Sequence, residues 1–150
     1  SHANMIFNAR LADTMYQRQD NDVHLVTLPL FHSFGQTVQM NTGFYNRNAL
    51  TMLPRFDPDT ALSIMERDNV TIFAGVPTMY RMLEEAGADM RDLSSIRFWV
   101  SGADVMPPEL AHRFKRRGAA FALPGLGSIG EATFAEGYGM VETGGGAADK

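Results

Sequence analysis

The sequence predicts an α/β fold with an open, mainly parallel sheet and helices on both faces. Short β-rich runs alternate with helix-length segments along most of the chain, which is the pattern of β-α-β units. Proline and glycine stand at the junctions between these segments. The 150 residues are 45% hydrophobic and 20% charged, as in an ordinary globular domain with one sizeable core.

The first part of the chain already alternates in this way. The elements predicted there, in order, are a helix over residues 3–18, a strand over 24–28, a second helix over 35–45 and a strand over 49–53. Pro29 ends the first of these strands, because proline has no N–H to donate to a ladder.

A clearly punctuated helix follows these elements. Asp57 is placed to cap it, and Pro58 stands at the first helical position, where its missing N–H costs nothing. Ala61, Leu62 and Met65 then give the helix an apolar face.

Two further strand–helix pairs come next. In order, the predictions are a strand over 70–74, a turn at 75–77, a helix over 78–85, a strand over 97–100, a loop over 101–104 and a helix from 107 to 117. In the helix over 78–85, Met79, Met82 and Leu83 are predicted to face the core.

The pattern weakens after Gly118, where residues 119–137 are rich in glycine and alanine. Residues 125–130 fit G-x-G-x-x-G, the dinucleotide fingerprint. That fingerprint needs a strand before it and a helix opening on its third glycine. Pro124 precedes it instead, and the segment 133–135 that follows is β-like, so a flexible loop is predicted over 125–130.

Composition and charge exclude several classes of function. The net charge of −4 argues against nucleic-acid binding, which needs a clustered positive surface. The basic run Lys115, Arg116, Arg117 ends a predicted helix, where cations suit the dipole. The absence of cysteine excludes disulfides and thiolate chemistry. Because no signal peptide or membrane-spanning apolar run is present, a cytoplasmic protein is expected.

Two segments are candidates for ligand contact. His32 follows a predicted strand, at the edge of an open sheet where ligands bind, although a lone histidine between phenylalanines is more often simply packed. In residues 136–143, two glycines flank Tyr138, so backbone and an aromatic face could both approach a ligand, and Glu142 offers a hard oxygen suited to Mg²⁺. A plain loop is the alternative interpretation of the second segment.

Taken in order, four segments resemble the large domain of the adenylate-forming superfamily, which includes acyl-CoA synthetases, firefly luciferase and peptide-synthetase adenylation domains. They read L-P-L-F-H-S-F-G (28–35), F-A-G-V-P-T-M-Y (73–80), S-G-A-D-V-M-P-P-E-L (101–110) and E-G-Y-G-M-V-E-T-G-G (136–145). The segments F-D-P-D-T-A-L and D-L-S-S-I-R are most similar to fatty acyl-CoA synthetases. The resemblance implies that residues 1–150 form one α/β subdomain of that large domain.

The resemblance also implies a reaction and a site. Such enzymes join a carboxylic acid to ATP as an acyl-adenylate and then transfer the acyl group to coenzyme A, with Mg²⁺ as the metal. By resemblance, His32 lines and gates the acyl pocket. Glu142 matches the acidic residue that holds Mg²⁺. The nucleotide-binding positions matched in the same way are Gly102, Ala103, Asp104, Glu136, Gly137, Tyr138, Gly139 and Val141.

Two departures from the family pattern stand out. Val141 occupies a position that is usually threonine, and the stretch 119–135 is about ten residues longer than usual, by resemblance. The start at 1–4 matches a segment just after the family's phosphate loop. The ribose-binding aspartate and the small domain with its catalytic lysine would follow residue 150. The chain is therefore expected to be an internal fragment that is inactive alone.

Three alternatives to a fatty acyl-CoA synthetase stay open on the sequence. Two are enzymes of the same superfamily, an aryl-CoA ligase and a peptide-synthetase adenylation domain. The third is a degenerate nucleotide-binding protein without catalysis, which Val141 makes conceivable.

Overall fold

A computed structural model describes residues 1–17, 19–123, 127–143 and 145–149 of the chain. The strands in these ranges are β1 (Val23–Val26), β2 (Ala49–Met52), β3 (Ile72–Gly75), β4 (Phe98–Gly102), β5 (Phe121–Leu123), β6 (Gly127–Ile129), β7 (Thr133–Met140) and β8 (Gly145–Asp149). The α-helices are α1 (His2–Tyr16), α2 (Thr42–Asn46), α3 (Pro58–Arg67), α4 (Pro77–Glu85) and α5 (Pro108–Arg117). A π-helix (Gly35–Asn41) leads into α2, and two 3₁₀ turns cover Ala88–Met90 and Val141–Thr143.

The main sheet has the strand order β2-β1-β3-β4-β7-β8. The neighbours from β2 to β7 pair in parallel, and β8 pairs antiparallel with β7. This confirms the predicted α/β class with a mainly parallel sheet. No helix among the described residues is both long and apolar enough to cross a membrane.

Helices cover both faces of the sheet, as the sequence predicts. Successive residues of β4 point to opposite faces, so Trp99 packs in the core beneath α3, α4 and α5, whereas Phe98 and Val100 pack in a second cluster against α1. In the larger core the rings of Trp99 and Phe114 meet edge to face at 4.9 Å. Tyr80, also buried there, donates its hydroxyl to the carbonyl of Val100 at 2.8 Å.

The predicted start and apolar face of α3 are confirmed. The Asp57 carboxylate accepts the Thr60 N–H at 2.9 Å, and Pro58 is the first residue of the helix. Ala61, Leu62 and Met65 are buried.

The prediction for the buried face of α4 is wrong at Met82, which is 37% exposed. The helix begins at Pro77, and its buried residues Pro77, Tyr80 and Leu83 recur every three positions on one face, which leaves Met82 on the opposite side. On α5, Arg117 of the basic run donates to Glu84 of α4, consistent with a structural role for that run.

The carboxyl-terminal part is more regular than predicted. Residues 124–126 lie outside the described residues, but Gly127–Ile129 of the expected loop forms β6 and pairs antiparallel with β5. The β-like segment 133–135 is confirmed as the start of β7, and 136–140 continue this strand instead of forming a loop. The reason is tertiary: β4 offers β7 a complete parallel ladder, which compensates for the weak strand propensity of the glycines.

A buried polar network aligns the amino-terminal edge of the sheet. The Arg97 guanidinium donates to both carboxylate oxygens of Asp22, at 2.7 and 2.8 Å. The Thr71 hydroxyl donates to Asp22 at 2.8 Å and accepts the Val23 N–H at 2.9 Å. Since these residues stand at the starts of β1, β3 and β4, the network fixes the relative register of the three strands. The network lies at the amino-terminal ends of these strands and takes no part in the carboxyl-terminal edge of the sheet.

Candidate functional site

A cavity of about 170 Å³ lies at the carboxyl-terminal edge of the sheet. Its walls come from α1, from the segment that follows β1, and from the ends of β4 and β7. In an open α/β sheet this edge is where ligands bind, since the loops after parallel strands converge there. The cavity is therefore the candidate functional site.

His32 lines this cavity and is held by backbone hydrogen bonds of its own loop. The Phe34 N–H donates to His32 Nδ1 at 3.1 Å, so in the neutral ring the proton resides on Nε2. The His32 N–H donates to the Pro29 carbonyl at 3.0 Å, and the His32 carbonyl accepts the Gln36 N–H at 2.9 Å. A tight loop thus presents an Nε2–H donor beside the cavity, in line with the predicted position of His32 in a pocket wall.

Gly102 and Ala103 carry the backbone of β4 to the cavity. A Cβ at Gly102 would lie 3.1 Å from the Phe34 ring and 3.2 Å from the Gly137 carbonyl oxygen, so glycine allows the close approach of these segments. Ala103 has a left-handed φ of 69°, a strained conformation for a residue with a Cβ. Strain of this kind is concentrated at functional sites, because packing must hold it in place.

Gly137, Tyr138 and Gly139 line the cavity from β7. Gly137 stands opposite Gly102 in the β4–β7 register, which brings two of the predicted nucleotide-binding segments side by side. Tyr138 is 60% exposed, so much of it is accessible to a ligand. A Cβ at Gly137 would meet nothing closer than the Ser101 carbonyl oxygen at 4.0 Å, and this side of the strand is therefore open too.

Four of the residues assigned by resemblance do not line the cavity. Asp104 is exposed, and its carboxylate accepts the Val105 N–H at 2.7 Å. Glu136 is half-buried and stands opposite Ser101 in the ladder. Val141 and Glu142 are exposed in the 3₁₀ turn after β7. In the sequence, Asp104 follows the lining residue Ala103, Glu136 precedes Gly137, and Val141 and Glu142 follow the end of β7.

Helix α1 supplies a wall that sequence reasoning missed. Leu11, Ala12 and Met15 line the cavity from this helix, and Thr37 and Val38 line it from the π-helix. The available signal was weak, because the apolar positions of α1 form no single stripe and the helix buries only Asn8, Ala9, Ala12 and Tyr16. The cavity wall could be found only once the fold placed α1 across the ends of β4 and β7.

The lining is mostly apolar and carries little charge. Among the described residues that line it there is no aspartate, glutamate, lysine or arginine, and burial raises the pKa of Tyr16 well above its usual range. Among the described side chains, no group of three or more His, Cys, Asp or Glu could hold a metal ion. A divalent cation bound by the Glu142 carboxylate would thus need further ligand oxygens from another source.

Several known proteins are similar to this chain in sequence. The family model described as "AMP-binding enzyme" matches residues 1–150. A long-chain-fatty-acid–CoA ligase of Bacillus subtilis is 32% identical over 119 residues, which are 77% of this chain and 21% of that enzyme. A feruloyl-CoA synthase of an Amycolatopsis species is 31% identical over 144 residues, 95% of this chain and 26% of that enzyme.

Solved structures share the fold. ATP-bound MatB from Rhodopseudomonas palustris superimposes with a TM-score of 0.79 at 26% identity, covering 100% of this chain and 27% of that protein. The chain thus spans about a quarter of the length of the proteins it matches.

Proposed function

Since the chain belongs to the AMP-binding enzyme family, we propose that it is part of an ATP-dependent acyl-CoA synthetase and contributes the acid pocket and part of the nucleotide site. The observation that carries this proposal is that an apolar cavity lies directly beside Tyr138, which two glycines flank. The cavity would hold the apolar tail of an acid, and Tyr138 would contact the adenine ring of the nucleotide. The two relatives described above are, by name, a CoA ligase and a CoA synthase.

The nucleotide would lie against the ends of β4 and β7. The exposed ring of Tyr138 would offer a stacking surface for adenine, and Gly102 and Gly137 would let the backbone come close to the ligand. These residues fit an adenine nucleotide, because the ring of Tyr138 is exposed and the surface at Gly137 is unobstructed. In the solved MatB structure the bound nucleotide is ATP.

The acid would enter the cavity with its carboxylate toward the nucleotide. In the first step a carboxylate oxygen attacks the α-phosphorus of ATP, the bond to the bridging oxygen breaks, and pyrophosphate leaves. In the second step the thiol of coenzyme A releases its proton to solvent, the thiolate attacks the acyl carbon, and AMP leaves with the electron pair of the broken carbon–oxygen bond. His32 Nε2–H would donate a hydrogen bond at the pocket wall.

Mg²⁺ would neutralise charge on the departing pyrophosphate. Glu142 would hold it together with phosphate oxygens, which fits the single carboxylate available in that turn. Asp104, Glu136 and Val141 are proposed to contact the parts of the nucleotide that extend beyond the cavity. At Val141 the usual threonine hydroxyl would be replaced by a backbone N–H of the same turn.

The lining favours acids whose tail is uncharged. Leu11, Met15 and Val38 form an apolar wall, and none of the lining residues is lysine or arginine. A second carboxylate on the substrate would be buried here without a cationic partner, which is strongly unfavourable. Fatty acids and cinnamate-like aromatic acids both meet the requirement, and an aryl-CoA ligase is the second candidate because a feruloyl-CoA synthase is 31% identical over 95% of the chain.

The complete reaction is proposed to need a longer protein than these 150 residues. The two relatives described above are about four to five times as long as the matched region, which is 21% of one and 26% of the other. The chain alone is expected to release no pyrophosphate, because positioning groups outside it would be missing.

The experiment is an acid panel assayed with the complete protein that contains this chain. Pyrophosphate release and acyl-CoA, detected by mass spectrometry, are expected with a long-chain fatty acid or ferulic acid and not with a dicarboxylic acid. Val38→Phe, which fills the cavity, should abolish the acid response and leave ATP binding intact. Release of pyrophosphate that does not depend on any acid, or equal rates with the dicarboxylic acid, would contradict the proposal.

A further inference from the structure

Gln39 is a buried polar residue beside the candidate site with no role assigned so far. It lies in the π-helix and is 1% exposed. Its side-chain N–H groups donate to the carbonyls of Leu25 and Ala74, both at 3.0 Å. Its side-chain oxygen accepts the Leu28 N–H at 3.2 Å. Both donors and the acceptor of the carboxamide are therefore in use.

These bonds replace part of the main sheet. The paired register between β1 and β3 covers only His24 with Ile72 and Leu25 with Phe73. Beyond it the segments after the two strands run to opposite faces of the sheet, the π-helix toward α1 and α4 toward the larger core. The Gln39 carboxamide fills this opening and bonds to the backbone of both strands.

The same carboxamide fixes the start of the loop that carries His32. Leu28 is four residues before His32, and its N–H is held by Gln39. The loop is closed further along, since a Cβ at Gly35 would lie 2.5 Å from the Pro29 carbonyl oxygen. Between these two points lie residues 30–34, whose hydrogen bonds orient the His32 ring.

We propose that Gln39 is a positioning residue for the acid pocket and acts through the Leu28–His32 segment. This inference rests on the proposed function and goes beyond it, because Gln39 itself lines no part of the cavity. Without the carboxamide, the Leu28 N–H and the two carbonyls lose their partners, and the loop moves from its place at the cavity wall. Movement of this loop would weaken binding of the acid and would leave the nucleotide surface on β7 unchanged.

The kinetic test uses Gln39→Met in the complete enzyme, which keeps the side-chain length and removes all three hydrogen bonds. The KM for the acid should rise about tenfold or more, whereas the KM for ATP should change less than twofold. Thr71→Val is the matched control, since it also removes buried hydrogen bonds but at the opposite edge of the sheet. It should leave both KM values unchanged. Equal changes in the KM of acid and ATP would overturn the positioning role.

A double variant tests whether Gln39 acts through His32. His32→Ala should raise the acid KM by itself, and adding Gln39→Met should then raise it by less than a further twofold. Fully multiplicative effects would show that Gln39 acts elsewhere. If Gln39→Met does not fold, Gln39→Asn replaces it. That variant keeps an uncharged carboxamide, shortened by one methylene group, and should raise the acid KM less than His32→Ala does. A larger rise than with His32→Ala would contradict the proposal.

Hydrogen–deuterium exchange separates this inference from the proposed function. In Gln39→Met, peptides covering residues 28–34 should exchange at least tenfold faster, while those covering 98–102 stay protected. Unchanged exchange over 28–34 would refute the positioning role. If the wild-type enzyme shows no acid-dependent reaction, the proposed function fails, and the exchange result still decides whether Gln39 holds the loop.

Discussion

Gly102→Ala is expected to impair the candidate site and to preserve the fold, because the added methyl group would point at the cavity wall. The new Cβ would lie 3.1 Å from two atoms of the Phe34 ring and 3.2 Å from the Gly137 carbonyl oxygen. Contacts this short force a neighbour to move by a few tenths of an ångström. Phe34 is half-buried and borders the cavity, so its ring can move into that space.

The expected effect on stability is small. Relief of crowding by ring movement keeps the strain below the 1–3 kcal/mol that is typical of overpacked cores. Replacing glycine also removes freedom from the unfolded chain, which contributes about 0.4–1 kcal/mol of stability. The free energy of unfolding should therefore change by less than about 1 kcal/mol. The displaced ring, however, occupies the place where the acid and the nucleotide meet, so a tenfold or greater loss of adenylation is expected.

Gly75→Ala is the matched control on the neighbouring strand. There the added Cβ would lie 3.0 Å from the ring of Phe73, which is fully buried and packed against Tyr80 and Trp99. This ring cannot move aside, so Gly75→Ala should lower the free energy of unfolding by about 1–3 kcal/mol while adenylation per folded molecule is kept. Urea unfolding and acid-dependent pyrophosphate release measure the two effects. The reverse pattern, with Gly102→Ala unstable but active, would refute the assignment of the cavity.

Three other predictions address single residues. Tyr138→Ala should weaken nucleotide binding by about 1–3 kcal/mol in calorimetry without changing the melting temperature. Tyr138→Phe should bind normally, and Phe121→Ala, equally exposed, is the control. Burial lowers the pKa of His24, so below about pH 6.5 the unfolded chain takes up a proton that the folded chain does not. Stability should hence fall by up to about 1 kcal/mol between pH 7.5 and 5.5 in urea unfolding, and a flat profile would contradict this. Glu142→Gln should raise the Mg²⁺ concentration needed for adenylation, whereas Glu131→Gln should not.

Much of the fold could be predicted from local signals. The α3 cap at Asp57 and the prolines at the starts of α3 and α5 each act within a few residues, so the chain alone reveals them. The pairing of β7 with β4 could not be found in this way. Its glycines give no alternation, and the strand depends on a ladder with residues more than thirty positions away. The pairing of β5 with β6 is not evident from the sequence for a related reason, since the glycines of residues 125–130 favour a loop.

The candidate site was predictable where its residues form contiguous motifs. His32, Gly102 and Tyr138 lie in such segments, and the fold brings them to one cavity. The α1 wall and Gln39 were not predictable, because neither has a local pattern. The hydrogen-bond partners of Gln39 are backbone groups of β1, of β3 and of Leu28, which become neighbours only when the sheet forms. Site residues that depend on tertiary placement therefore need the structure.

The central claim, that one cavity and its rim hold the acid and the nucleotide together, is tested most directly by a crystal structure of the complete protein with a non-hydrolysable acyl-adenylate analogue. The acyl chain should lie between Ala12 and Val100 in the cavity, and the adenine should stack on Tyr138 within about 4 Å of its ring. An analogue bound with its acyl chain outside the cavity, or with its adenine away from β7, would contradict the account.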